Sequence, residues 1–258
     1  MKRSFTNQSI PVISSIFAGQ TVDELIAEAR YAQDEGATGI TIDLFDLKPE
    51  FRNTESLKSV VDSVHIPTMF YFYRNDRQEQ LDDEQRQKLL LAAADAGASC
   101  IDVMGDLYDP APNQITYDAN AIQKQKKLIN AIHAKGAEVI MSSHTNCFRT
   151  TEQIMKHLQA QKSRGADIMK IVTTADTQEE FLETIKAIMQ TKSTLKAPFI
   201  LICGGKYAFP VRLMGLSLGV AVTFAVSHYE PKYHMNQPTV RAMKAILDNY
   251  HWSIDDVL

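Results

Sequence analysis

Hydrophobic and polar positions follow two alternating periods along this chain. Short β-branched or apolar runs recur at 11–16 (PVISSI), 38–44 (TGITIDL), 67–73 (PTMFYFY) and 99–104 (SCIDVM). Four more follow at 137–143 (AEVIMSS), 167–172 (DIMKIV), 198–203 (PFILIC) and 220–225 (VAVTFA). Between them lie longer segments with helical spacing; in TVDELIAEARYAQDEG, Val22, Leu25, Ile26 and Ala29 share one face. Thr21 and Glu24 have capping-box spacing, and Gly36 stands where such a helix should stop. Three further segments repeat that grammar and end at Gly97, Gly136 and Gly165.

Strand–helix units in series imply parallel strands joined by right-handed crossovers. Eight units in 258 residues match a closed (β/α)8 TIM barrel. The rival α/β architecture, a doubly wound open sheet, would place a G-x-G-x-x-G turn after the first strand, but FAGQTVDE stands there. No linker or low-complexity stretch interrupts the pattern. The whole chain, 1–258, is therefore expected to be a single (β/α)8 barrel domain.

Composition narrows the partners. With 45% hydrophobic and 22% charged residues and a formal net charge of −4, the chain has no basic footprint for nucleic acid. No window approaches the ~20 apolar residues of a membrane span, and the opening MKRSFTNQSIPVISSIF lacks the apolar region and cleavage site of a signal peptide. Cys100, Cys147 and Cys203 are odd in number and lack zinc-ligand spacing. No metal and no cofactor are expected, and a reducing, cytoplasmic setting is.

One residue breaks the apolar grammar. Lys170 interrupts the sixth strand, near its carboxyl end, where the catalytic groups of such barrels gather. Facing inward beside Ile168 and Val172, its amine would be desolvated, partly neutral and nucleophilic, fit for a Schiff base with a carbonyl. Alternatively, it reaches into water or pairs with Asp102 or Asp167. His144 follows directly on the fifth strand, one unit earlier; at matching height it would lie within hydrogen-bond or one-water reach of the amine. Imine chemistry needs such a proton carrier.

The segments EVIMSSH…RTT, DIMKIV, RLMGLSLGVAVTFA and NQPTVRAMKAIL resemble those of the type I 3-dehydroquinate dehydratases, over nearly the whole chain. The resemblance implies an imine-forming lysine at Lys170 and a proton-shuttling histidine at His144. It also implies a carboxylate-binding arginine at Arg212, a lid glutamine at Gln237 and a serine at Ser15, beside Ser14. The first half departs from the family pattern. Asp43 and Asp46 stand in ITIDLFDL without the accompanying arginine, Tyr73 replaces an arginine, and Met104 replaces a glutamate. Arg74 comes one residue late and should turn to the other face. Asp43 remains a candidate substrate contact.

Other features carry less. The loop 227–238 is a candidate lid that could bring Tyr233, His234 or Gln237 to substrate, or a solvated connection. GGKYAF (204–209) is either an anion site or a turn, and the irregular spacing of His228, Glu230 and His234 speaks against a metal. The expected partner is a small hydroxy-keto acid, and the expected assembly a homodimer. The leading expectation is a lyase of the shikimate pathway, dehydrating 3-dehydroquinate to 3-dehydroshikimate. The alternatives are a related Schiff-base lyase with a different hydroxy-keto acid and a catalytically silent barrel that binds a small acid.

Overall fold

The computed structural model describes residues 3–7, 11–229, 237–250 and 252–255. Eight strands alternate with eight α-helices. The first half comprises β1 (Val12–Ala18), α1 (Val22–Asp34), β2 (Gly39–Asp43), α2 (Thr54–Asp62), β3 (Thr68–Tyr71), α3 (Asp83–Asp95), β4 (Cys100–Met104) and α4 (Ala119–Ala134). The second comprises β5 (Glu138–His144), α5 (Thr151–Lys162), β6 (Ile168–Thr174), α6 (Gln178–Leu195), β7 (Phe199–Gly204), α7 (Ala208–Gly215), β8 (Val222–Ala225) and α8 (Val240–Asn249). Every ladder is parallel, and the order β7-β6-β5-β4-β3-β2-β1-β8 wraps the sheet into the expected TIM barrel. β7 and β8 share no ladder among the described residues; Ala221 N donates to Phe199 O across that seam at 2.9 Å.

The caps explain why the helices begin and end where they do. The Thr21 hydroxyl accepts from Glu24 N at the head of α1, and Asp82, Thr150 and Thr177 head full capping boxes on α3, α5 and α6. Gly36 (φ +98°) and Gly165 (φ +101°) turn the chain left-handed after α1 and α5, a conformation in which a Cβ would be strained.

Alternation along each strand sorts side chains into two layers. Ile13, Phe17, Ile40, Ile42, Phe70, Ile101, Val139 and Met141 face the helices with Leu25, Ala29, Leu57, Leu90 and Ile132. Each large aliphatic group buried there contributes about 1.5–3 kcal/mol. The opposite parity fills the barrel: Val12, Met69, Cys100, Ile140, Ile168, Ile200 and Val222 form an apolar floor. Phe5 plugs the amino-terminal mouth, close enough that a Cβ on Gly39 would stand 2.8 Å from its ring. Glu138 holds that plug by accepting from Phe5 N at 2.7 Å and Ser4 Oγ at 2.5 Å. With the bottom sealed, polar groups collect toward the carboxyl ends of the strands.

Candidate active site

β6 runs to Thr174, because Val172, Thr173 and Thr174 pair with Ile202, Cys203 and Gly204 of β7. Lys170 is thus third of seven residues in the strand and sits deeper in the barrel than its sequence position suggests. It faces inward and is 6% exposed. Its Nζ lies 3.8 Å from Asp102 Oδ2, 4.9 Å from the centre of the Phe224 ring, and donates to Tyr73 Oη at 3.3 Å. Of the two aspartates considered as partners, Asp102 is the neighbour. Asp167 is engaged elsewhere, accepting from Val139 N at 2.7 Å and lying 2.8 Å from His133 Nε2.

Asp102 Oδ2 accepts from Tyr73 Oη at 2.7 Å and from Ser142 Oγ at 2.6 Å, while its buried Oδ1 has no hydrogen-bond partner among the described residues. Burial lowers the Lys170 amine from its ordinary value, against the raising influence of the Asp102 charge, and the Arg212 charge lowers it further. Burial likewise raises the Asp102 carboxyl, opposed chiefly by Lys170.

His144 closes β5, but its height differs from the expectation. The register sets Lys170 opposite Ser142 and His144 opposite Val172, so the imidazole lies one inward-facing layer above the amine. Tyr73 connects them: its ring meets the His144 ring edge-on at 5.2 Å. Gln114, in the β4–α4 connection, fixes this strand end. Its Oε1 accepts from His144 N at 2.6 Å, and its carbonyl accepts from Ser143 Oγ at 2.5 Å. Burial, and then the Lys170 charge, hold the imidazole well below its usual range, so it is neutral at pH 7 and can accept a proton.

Arg212 comes from α7. It is 5% exposed, and its Nε and Nη1 have no partner among the described residues. Burial lowers its guanidinium to about 10. A buried cation with idle donors is costly unless an anion completes it, and a guanidinium is chemically suited to pairing with a carboxylate. Gln237 is buried, and its Oε1 has no partner among the described residues. Val226 N donates to Pro238 O and Val240 N to Val226 O, which tie the segment after Gln237 to the end of β8. Tyr233, His234 and Glu230, named as candidates in the connecting loop, lie outside the described residues.

One expected residue sits differently. Ser15 shares the parity of Ile13 and Phe17, which pack beneath α1, so its side chain belongs to the outer layer and its hydroxyl bonds Ser227 Oγ at 2.9 Å. Ser14 takes the inner side and bonds Thr41 Oγ1 at 2.6 Å. Asp43 does face inward, where burial raises its carboxyl to about 7 despite bonds from Phe45 N, Tyr71 and Asn75. Arg74 turns away as expected, with Nη1 3.0 Å from Asp106 Oδ1 and Nη2 2.9 Å from Asp83 Oδ2. Met104 is buried level with Ser142. Sequence reasoning missed the Tyr73–Asp102 pair and Gln114; the inward parity of Asp102 with Cys100 was the available signal for the first. Among the described residues there is no metal-binding cluster, and no helix is long and apolar enough to cross a membrane.

A sealed β/α barrel thus brings together a desolvated lysine, a neutral histidine above it and a buried guanidinium, an arrangement chemically capable of covalent attack on a carbonyl. The type I 3-dehydroquinase family model matches residues 15–253, and the chain belongs to that family. A 3-dehydroquinate dehydratase of Klebsiella pneumoniae is 26% identical over 216 residues, 80% of each chain. One from Alkaliphilus oremlandii is 32% identical over 118 residues, an alignment that spans 44% of this chain and 44% of that relative. In fold, the chain matches a type I 3-dehydroquinate dehydratase from Clostridium difficile, solved with covalently modified comenic acid. The TM-score is 0.80 at 20% identity, covering 96% of this chain and 98% of that one.

Proposed function

We infer that this chain is a type I 3-dehydroquinate dehydratase, a carbon–oxygen lyase that converts 3-dehydroquinate to 3-dehydroshikimate through an imine on Lys170. The observation that carries the reading is the Lys170 amine, buried inside the barrel and within the electrostatic reach of Arg212, whose Nε and Nη1 have no partner among the described residues. Arg212 holds the substrate carboxylate. The Lys170 nitrogen attacks the ketone carbon, and loss of water leaves a protonated imine. Neutral His144 takes a proton from the neighbouring carbon, and the electron pair moves into the imine to give an enamine. That pair then returns to expel the hydroxyl one carbon further on, which leaves as water with the proton from His144. Hydrolysis frees the product and the lysine. The imine is the electron sink, so the reaction needs no cofactor. Asp43 and Gln237 complete the substrate contacts in this reading.

The chain works as one domain, in the cytoplasm, and as a homodimer. The continuous strand–helix repeat supports the first of these, and the three unpaired cysteines support the second. The exposed Phe209, Leu213 and Met214 on α7 support the third.

A second reading keeps the chemistry and changes the acid. The engagement of Arg74 with Asp83 and Asp106, and the apolar Met104 beside Ser142, favour it, since the polar groups expected around the substrate hydroxyls are absent from those positions. Borohydride trapping decides between the readings. With 3-dehydroquinate, the reduced adduct should appear on Lys170 and the enone absorbance of the product should rise. An adduct without an enone would refute dehydration of this substrate, and no adduct at all would refute the imine.

A further inference from the structure

Three polar groups stand in line between the end of β3, β4 and β6. Lys170 Nζ is 3.8 Å from Asp102 Oδ2, beyond hydrogen-bond length. The Tyr73 hydroxyl bridges the gap, accepting from Lys170 Nζ at 3.3 Å and donating to Asp102 Oδ2 at 2.7 Å. No step of the reaction above uses Tyr73 or Asp102.

We propose that Tyr73 passes the ammonium proton of Lys170 to Asp102 before the amine attacks, and returns it to the oxygen that leaves as water. The proposal rests on the imine reading of the site. Of the three groups, only the phenol can accept and donate at once. Burial, reinforced by the Asp102 charge, pushes the Tyr73 hydroxyl well above its usual range, so the phenol stays neutral and relays a proton without holding a charge. Asp102 is suited to storing it: the carboxyl is buried, its Oδ1 is unpartnered, and Ser142 Oγ fixes its other oxygen at 2.6 Å. The charged groups that act on the Lys170 amine are Asp102 from β4, Asp43 from β2 and Arg212 from α7. Of these, Arg212 repels the ammonium and so favours the transfer. The register sets His144 beside Val172, a layer above, whereas the phenol bonds both the amine and the carboxylate directly.

The steps balance. The ammonium gives a proton to Tyr73 Oη while the original phenol proton moves to Asp102 Oδ2, leaving a neutral amine, a neutral phenol and a neutral acid. The amine lone pair forms the N–C bond, the carbonyl π pair moves to oxygen, and an N–H proton shifts to that oxygen to give the neutral carbinolamine. The stored proton then returns from Asp102 through Tyr73 to the carbinolamine oxygen. The C–O bond breaks, water departs, and the nitrogen pair closes the C=N bond. Lysine ammonium plus ketone has become protonated imine plus water, with Tyr73 and Asp102 restored.

Rapid quenching into borohydride tests this, with 3-dehydroquinate as one probe and pyruvate as a second carbonyl acid. Tyr73→Phe keeps the ring against His144 and Tyr71 and removes only the hydroxyl. It should form the Lys170 adduct at least ~10-fold more slowly yet reach the wild-type yield. Its rate should climb by about tenfold per pH unit below the amine pKa, because the proton must now leave to solvent, whereas the wild-type rate should be nearly flat. Asp102→Asn should be slow as well, and the double variant no slower than the slower single one, since both interrupt one relay. A Tyr73→Phe variant with the wild-type rate and pH profile would overturn the relay while leaving the imine intact. So would a slower variant whose pH profile is unchanged, which marks packing alone. If pyruvate is trapped and 3-dehydroquinate is not, the substrate assignment falls and the same comparison is read on the pyruvate adduct. Trapping of neither removes imine and relay together.

Discussion

Lys170 and His144 occupy adjacent strands but different layers, the amine opposite Ser142 and the imidazole opposite Val172. In the proposed mechanism the first bonds the ketone carbon and the second meets hydrogens above it, a division that the two variants should expose. Lys170→Ala should lose roughly three or more orders of magnitude in kcat and form no borohydride adduct. His144→Ala should lose about 10²–10⁴-fold yet still accumulate the adduct, because the stalled steps follow imine formation. Quenched-flow mass analysis of both variants checks the division, and a His144→Ala protein that turns over normally would contradict it.

Arg212 offers a test in which stability and function move in opposite directions. Its Nε and Nη1 are buried without partners among the described residues, which leaves part of the cation's hydrogen-bonding capacity unmet there. Arg212→Met should raise the unfolding free energy by about 1 kcal/mol and weaken substrate binding by about 2–5 kcal/mol. Thermal melts and KM measured on the same preparation check both, and a variant that melts lower would show that the guanidinium is already satisfied.

Gln237 should behave as a transition-state contact. Its buried Oε1 has no partner among the described residues, and in the proposed reading a substrate hydroxyl supplies the donor. Gln237→Ala should cost about 1–3 kcal/mol in kcat/KM and leave the yield of borohydride adduct unchanged. An unaltered kcat/KM would detach this residue from the site.

Asp43 makes stability depend on pH with a definite sign. Its folded carboxyl is raised to about 7 from 3.8, so between those values the folded state holds a proton that the unfolded state has released. This contribution is full below the unfolded value and is lost as pH rises through 7. His157 works the other way: burial lowers its imidazole to about 4 from 6.5, so its contribution is present at neutral pH and is lost as pH falls. The raw melting profile therefore mixes two opposed slopes. The difference between wild type and Asp43→Asn isolates the first: the wild-type advantage should shrink from pH 4 to pH 7, at about 1.4 kcal/mol per unit of pKa displacement. A flat difference would show that Asp43 is ionised throughout.

The barrel was legible in the sequence because its two periods are local properties. Glycine stops such as Gly36 and hydroxyl caps such as Thr21 act within one helical turn, and the parity of Lys170 with Ile168 and Val172 follows from the pleat. What escaped depends on how strands shift past one another as the sheet closes. Periodicity carries no information about that stagger, so the height of His144 relative to Lys170 had to come from the register. The contact between Tyr73 and Lys170 joins residues 97 positions apart and bridges strands that do not pair. The serine pair was misread for another reason: parity alone distinguishes Ser14 from Ser15, and Ile13 and Phe17 had already fixed it.

The seam between β7 and β8 gives the site unequal stiffness. Lys170 belongs to a strand bonded on both sides, woven into the ladder that runs without a break from β7 round to β8. Arg212 hangs from α7, in the connection that crosses the interval without a ladder among the described residues, where Ala221 N donates to Phe199 O. If Lys170 and Arg212 hold the two ends of a substrate as proposed, the span between them is a caliper with one fixed jaw and one sprung jaw. On that reading, acids of slightly different length should be gripped without disturbing the lysine, with correspondingly soft selectivity for length. Amide hydrogen exchange should register the spring, with Ala221 exchanging ahead of Ile171.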